Sequence, residues 1–200
     1  MIDRDLVTGY PLDNLHQLGH MLLDLHELTP GLNLVMWKLD VAEAYRMCPM
    51  HPLWQIKQAI RVDGIYYINH ANCFGSSASF AIFVSVNSLV AWIAKTERGI
   101  SASITYVDDS SSPATAGDVL YYEPYDSLLP SLQVILLRLW DELGIPHKNK
   151  KQVHGSSLPI IGIVVDPNAL TFTLPDIACD HLVFELETWV SDKSSRFRLR

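Results

Sequence analysis

The sequence predicts an α+β fold, a mostly antiparallel sheet with helices packed on one face. Three observations lead there. Runs of helical length and periodicity alternate with short β-rich runs along the chain. Several β-rich runs come in pairs around tight turns, as antiparallel hairpins do, whereas parallel strands need long crossovers. The chain has 200 residues, 48% hydrophobic and only 18% charged, which suits one domain with a substantial core.

The elements follow in order. Residues 12–28, LDNLHQLGHMLLDLHEL, place Leu15, Leu18, Leu22 and Leu25 at helical spacing, and Pro30-Gly31 ends that amphipathic helix. LNLVMWKLDV (32–41) reads as a largely buried strand closing near Asp40. IKQAIRVDGIYYINH (56–70) is two β-rich runs around Asp63-Gly64, a hairpin signal. Gly75 and the serines at 76, 77 and 79 open an apolar helix that runs to about Lys95, with Gly99 beyond it. Its core, FAIFVSVNSLVAWIA (80–94), is short for a membrane span and contains Ser85, Asn87 and Ser88, so a buried helix is expected.

SASITYVDDSSSPA then reads as strand, tight turn, and strand or loop. YDSLLPSLQVILLRLWDELG (125–144) predicts a helix that Gly144 closes and Pro146 bars from continuing. Basic HKNKKQVHG (147–155) precedes a strand, LPIIGIVVD (158–166), and Pro167-Asn168 turns the chain into LTFTL (170–174). PDIACDHLVFELETWV (175–190) predicts a last helix, and the basic tail KSSRFRLR reads as cut off mid-element.

Composition narrows the function classes. No secretory signal opens the chain, which points to an intracellular protein, in cytoplasm or nucleus, with no membrane partner. Cys48, Cys73 and Cys179 are odd in number and lack a C-x-x-C pair, as expected of free thiols in a reducing compartment. A net charge of −7 argues against a free-standing nucleic-acid clamp. His16 and His20 have zinc-ligand spacing on the first helix, but no third ligand or adjacent base accompanies them, so they read as solvated surface.

The acids Asp40, Asp108 and Asp109 carry the chemical question. Each could cap a turn, the ordinary role of an isolated aspartate. If the strand ending at Asp40 and the Asp108-Asp109 turn are neighbours, three carboxylates converge on one edge. That cluster is unfavourable unless cations neutralise it or protons are shared. A hard Mg²⁺ ion takes one or two carboxylates plus waters and substrate phosphates.

Four stretches, taken together, resemble the catalytic motifs of retroelement reverse transcriptases. KLDVAEAYRMCPMHP (38–52) looks like the first, an aspartate followed by Ala-Tyr, and FGSSASFAIF (74–83) like the second, a Phe-Gly turn opening a helix. YVDD (106–109) matches the third, and LGIPHKNKKQVHGSSLPIIGIVVD (143–166) resembles the fourth and fifth. Order and spacing agree from about residue 10 to 175, and the flavour is nearest to fungal retrotransposons. The resemblance implies a polymerase palm with an RRM/ferredoxin-like core over residues 1–174, followed at 175–200 by the start of a thumb- or connection-like helical segment.

It also implies roles. Asp40 and Asp108, with the main-chain carbonyl of Val41, would bind catalytic Mg²⁺ (or Mn²⁺), and Asp109 would be a weaker or outer ligand. Tyr45 would stand under the incoming sugar and exclude a ribose 2′-OH. Gly75 and Ser76 would let the backbone approach nucleotide and template. Lys151 would sit near the triphosphate, and Ile161-Gly162 would form the hairpin that grips the primer end. The activity implied is two-metal nucleotidyl transfer from dNTP to a primer 3′-OH, with template–primer nucleic acid as partner. Fingers, thumb and RNase H regions are expected elsewhere in a larger polyprotein. The alternative is a non-catalytic or truncated remnant that keeps the palm fold and acts only through binding.

Overall fold

The computed structural model describes residues 12–191; the basic tail lies outside them. The chain runs α1 (Leu15–Leu28), β1 (Leu34–Asp40), a short α2 (Pro52–Gln55), β2 (Ala59–Val62), β3 (Ile65–Ile68) and α3 (Ser77–Glu97). It continues as β4 (Ile104–Tyr106), β5 (Asp109–Thr115), β6 (Val119–Tyr122), β7 (Ser127–Pro130) and α4 (Ser131–Leu143). Then come β8 (Val153–Gly155), β9 (Leu158–Ile160), β10 (Ile163–Asp166), β11 (Thr171–Thr173) and α5 (Asp176–Ser191). The α+β class is as the sequence predicts.

The central sheet has the order β4-β5-β1-β8, and its pairs are antiparallel. β1 and β5 pair along their whole length, from Leu34↔Thr115 to Asp40↔Asp109. Alternation along β1 splits the core. Trp37, Leu39 and Val41 pack with Phe83, Val90 and Ala94 of α3 and with Val134, Leu137 and Trp140 of α4. Met36 points the other way, into a cluster with Leu18 and Leu22 of α1, Ile104, Ile160 and Val165. Two long helices therefore cover one face, while α1 and the β9–β11 sheet lie against the other. Full burial of a leucine such as Leu22 or Leu137 contributes about 1.5–3 kcal/mol.

Local chemistry sets the boundaries. α1 begins at a capping box: Asn14 Oδ1 accepts from the N–H groups of His16 and Gln17, and the Gln17 side chain accepts from Asn14 N–H. Asp63 and Gly64 both have positive φ, 50° and 83°, which closes the expected β2–β3 hairpin. α4 begins later than expected, because residues 127–130 form β7 and pair with β6. Pro130, lacking an N–H and disfavouring helix in the residue before it, marks that boundary. The expected strand over 158–166 is broken by a turn at Ile161 (φ 49°) and Gly162 (φ 78°), giving the β9–β10 hairpin. α3 is long and apolar enough, by length and composition, to cross a membrane, more than the sequence reading allowed. Its Phe83, Val90 and Ala94 are buried in the core instead.

Candidate active site

The ends of β1 and β5 bring the three aspartates together. Asp40 and Asp109 are direct cross-strand partners, and Asp108 sits beside them in the β4–β5 turn. Its main-chain carbonyl accepts from Val41 N–H at 3.1 Å, which ties the turn to the end of β1. In register, then, Asp40 faces Asp109, while Asp108 stands at the turn tip. Val107, the first residue of that turn, has φ 56°, a left-handed conformation costly for a β-branched side chain. Buried Asn87 of α3 holds it there by donating from Nδ2 to the Val107 carbonyl at 2.6 Å.

Lysines neutralise two of the three acids. Lys151 Nζ lies 2.6 Å from Asp40 Oδ1, and Lys38 Nζ lies 2.8 Å from Asp109 Oδ2. Asp108 makes no ion pair among the described residues. Burial, then its own main-chain hydrogen bond in the opposite sense, then Asp109 and Asp40, act on its carboxyl, and the balance lies above the usual aspartate value. Lys151 is displaced upward, chiefly by its hydrogen bond to Asp40.

Other expected residues fall around this cluster. Tyr45, on a single helical turn at Ala44–Met47, packs at a tilt against Phe74 (centroids 5.0 Å apart) and edge-on against Phe83 (5.7 Å). Burial raises its phenol, and the charge of Asp108 adds to the shift. Gly75 (φ 85°) forms the turn into α3, with Ser76 as N-cap, and no atom lies within 4 Å of where a Gly75 Cβ would project. Ile161 and Gly162 form their hairpin in the small sheet, where Ile161 packs with the α1 cluster.

Three positioning residues escaped the sequence reading. Lys38 reaches Asp109 only because β1 pairs with β5. Asn87 is hidden in an apolar helix. Gln152, 6% exposed, uses Oε1 to accept from Asp40 N–H and Nε2 to donate to the Asp40 carbonyl, both at 3.0 Å. A polar residue inside an otherwise apolar helix was the available signal for Asn87.

Among the described residues, no three His, Cys, Asp or Glu side chains are arranged to hold a metal ion. The donor chemistry nonetheless suits a hard cation, since Asp40, Asp108 and the Val41 carbonyl offer oxygens alone and Mg²⁺ needs few protein ligands. Asp108, a half-buried carboxylate that neither lysine pairs directly and that Asp109 and Asp40 repel, is the group such an ion would relieve.

No protein-family model and no curated protein matches the chain. Its fold is similar to solved structures of the foamy viral protease–reverse transcriptase. The dRH form in complex with double-stranded DNA matches with TM-score 0.59 and 16% identity over 96% of this chain and 29% of that one. The complex with an RNA/DNA hybrid matches with TM-score 0.53 and 14% identity, over 81% of this chain and 19% of that one. Another double-stranded DNA complex gives TM-score 0.51 at 14% identity, over 81% and 29%. The chain thus spans less than a third of those proteins, and what they share with it is a reverse transcriptase-like fold.

Proposed function

We propose that this chain is the palm of an RNA-directed DNA polymerase from a retroelement of fungal-retrotransposon type. It joins a dNTP to a primer 3′-OH under template direction and releases pyrophosphate. The supporting observation is the convergence of Asp40, Asp108 and Asp109 at the end of the β1–β5 pair. When bound, paired Mg²⁺ ions would supply charge neutralisation at the attacking and leaving oxygens. Asp40, Asp108 and the Val41 carbonyl would hold them, and Asp109 supports the group while Lys38 balances its charge.

Lys151 stays protonated because Asp40 favours its charged form, so it can neutralise the triphosphate or give a proton to the leaving pyrophosphate. Tyr45, braced by Phe74 and Phe83, backs the incoming sugar and rejects a 2′-OH. Gly75 and Ser76 leave room for nucleotide and template, and Ile161-Gly162 grips the primer end. The similar structures hold an RNA/DNA hybrid or double-stranded DNA, and template–primer is the partner proposed here. Fingers, thumb and RNase H belong, in this reading, to other parts of a longer polyprotein. Helix α5, with no buried residue, is the first element of the helical segment that follows the palm.

The test is thermal unfolding during a Mg²⁺ or Mn²⁺ titration, with Asp40→Asn/Asp108→Asn as control. Stabilisation that disappears in the double variant supports the site, and primer extension with fingers restored then reads the activity. A second reading, a palm that only binds, is favoured by the lysine pairing of Asp40 and Asp109. It predicts no metal stabilisation and no extension, with nucleic-acid binding retained.

A further inference from the structure

Between β5 and α4 the chain makes the β6–β7 hairpin, whose tip is a single helical turn at Glu123–Tyr125 followed by Asp126 at φ 48°. Two tyrosines of this hairpin reach a polar chain at the end of α4. Tyr122, 1% exposed, donates its hydroxyl to Asp141 Oδ2 at 2.6 Å. Asp141 Oδ1 lies 3.0 Å from His147 Nε2, and the Tyr125 hydroxyl meets His147 Nδ1 across the ring. Trp140 and both tyrosines pack around the imidazole, with ring centroids 5.7 to 6.4 Å away.

Donors and acceptors balance along this chain. Burial, then the charge of Asp141, pushes the Tyr125 phenol up to about 12. Burial and the bond to Asp141 raise Tyr122 as well. Both phenols therefore keep their protons at neutral pH. With Tyr125 donating to Nδ1, the ring proton sits on Nε2 and goes to Asp141, whose other oxygen accepts from Tyr122. One tautomer thus satisfies every member, and a satisfied buried network is rigid. A phenol held in its neutral form is a poor nucleophile, so this tyrosine–histidine–aspartate series is not built for covalent catalysis.

The chain ends against β1. His147 pairs with Val41 in an isolated antiparallel bridge, and Ala42 N–H donates to the Pro146 carbonyl at 2.7 Å. Pro146 has no N–H to return, so the bridge needs support from the His147 side chain. On its other side, Val41 N–H donates to the Asp108 carbonyl at 3.1 Å. Val41 therefore lies between the YVDD turn and His147. We propose that Tyr122, Asp141, His147 and Tyr125 are a positioning network that sets the Val41 main chain, and through it Asp108, for metal binding. The inference rests on the polymerase reading, in which the Val41 carbonyl and Asp108 are ligands.

Mn²⁺ binding to the whole chain, read from the electron paramagnetic resonance of the free ion, tests this without nucleotide or primer. Tyr125→Phe and Asp141→Asn should each weaken Mn²⁺ binding about tenfold. The double variant should bind no worse than the weaker single one, because a single network is already broken. Tyr121→Phe removes a hydroxyl from the same hairpin, one that donates to Asp126 instead, and should bind as wild type does. Leu137→Ala carries none of these bonds but weakens the surrounding core, and well below its melting temperature it should also bind as wild type does. Wild-type affinity in Tyr125→Phe overturns the proposal and leaves the metal site standing. An equal loss in Leu137→Ala overturns it too, since the effect would then be one of stability alone. If Asp141→Asn does not fold, Tyr125→Phe decides, because it keeps the ring and loses one hydroxyl. A wild-type chain that binds no Mn²⁺ sinks both this proposal and the metal-dependent reading of the carboxylates.

Discussion

Gln152 holds Asp40 by its main chain on both sides, accepting from the N–H and donating to the carbonyl at 3.0 Å each. Asn168 does the same for Leu34 at the other end of β1, at 2.8 and 2.9 Å. Both ends of the central strand are thus clamped by carboxamides from distant sequence. The position of the Asp40 carboxylate is set through its backbone, leaving its oxygens free for Lys151 or a cation. Gln152→Ala leaves main-chain groups without those partners and should cost about 1–3 kcal/mol in urea unfolding. It should also blunt any stabilisation by Mg²⁺. Unchanged unfolding would mean that water replaces the clamp without loss.

Lys151 already holds Asp40 Oδ1, the oxygen that a metal ion bound there would need. The lysine side chain is 43% exposed, so its ion pair is screened and contributes only about 0–1 kcal/mol. Lys151→Gln should therefore leave the unfolding midpoint nearly unchanged without metal. With metal, the Mg²⁺ concentration giving half-maximal stabilisation should fall, because the resident cation has gone. A higher metal requirement would show that Lys151 helps to build the site rather than occupying it.

Tyr45 separates packing from selectivity. Its ring meets Phe74 and Phe83 at 5.0 and 5.7 Å, and each such aromatic pair adds about 0.5–1.5 kcal/mol. Tyr45→Phe should keep stability and sugar discrimination, while Tyr45→Ala should lose about 1–3 kcal/mol and admit ribonucleotides. Primer extension with matched dNTP and rNTP, in a chain with fingers restored, reads the second effect. Unaltered discrimination in Tyr45→Ala removes the residue from the sugar site.

What could be read in the sequence follows what is encoded locally. Asp63-Gly64 announced its hairpin because both residues accept the left-handed backbone that the turn requires. The apolar run of β1 was legible from its composition and the YVDD turn from its likeness to a known motif, and the two together led to the expectation that three aspartates meet if their strands are neighbours. The start of α4 was misjudged because Leu128 and Leu129 extend an apolar pattern that Pro130 interrupts. The turn at Ile161 was hidden from periodicity, since a β-branched residue rarely takes a φ of 49°. Lys38 and Gln152 act across strand pairings and main-chain bonds, which residue types do not announce. Two lysines resting on the acids were likewise invisible until the register brought them there.

Asp108 should make the folded state less stable as pH rises. Burial, the neighbouring Asp109 and Asp40 outweigh its own main-chain hydrogen bond and Lys151, and its folded carboxyl lies above the ordinary value of 3.8. Such a group holds its proton more tightly when folded. Between the unfolded and folded values the native chain binds more protons, so this contribution to stability declines as pH climbs through that window. Asp108→Asn removes the charge and the decline with it. The variant's advantage over wild type in urea unfolding should therefore be small near the unfolded value, grow as pH rises, and level off above the folded value. Saturating Mg²⁺ should narrow the gap by stabilising wild type alone. An advantage that widens toward acid, or a variant less stable than wild type at neutral pH, would show that the Asp108 carboxylate is paired in the folded state rather than strained.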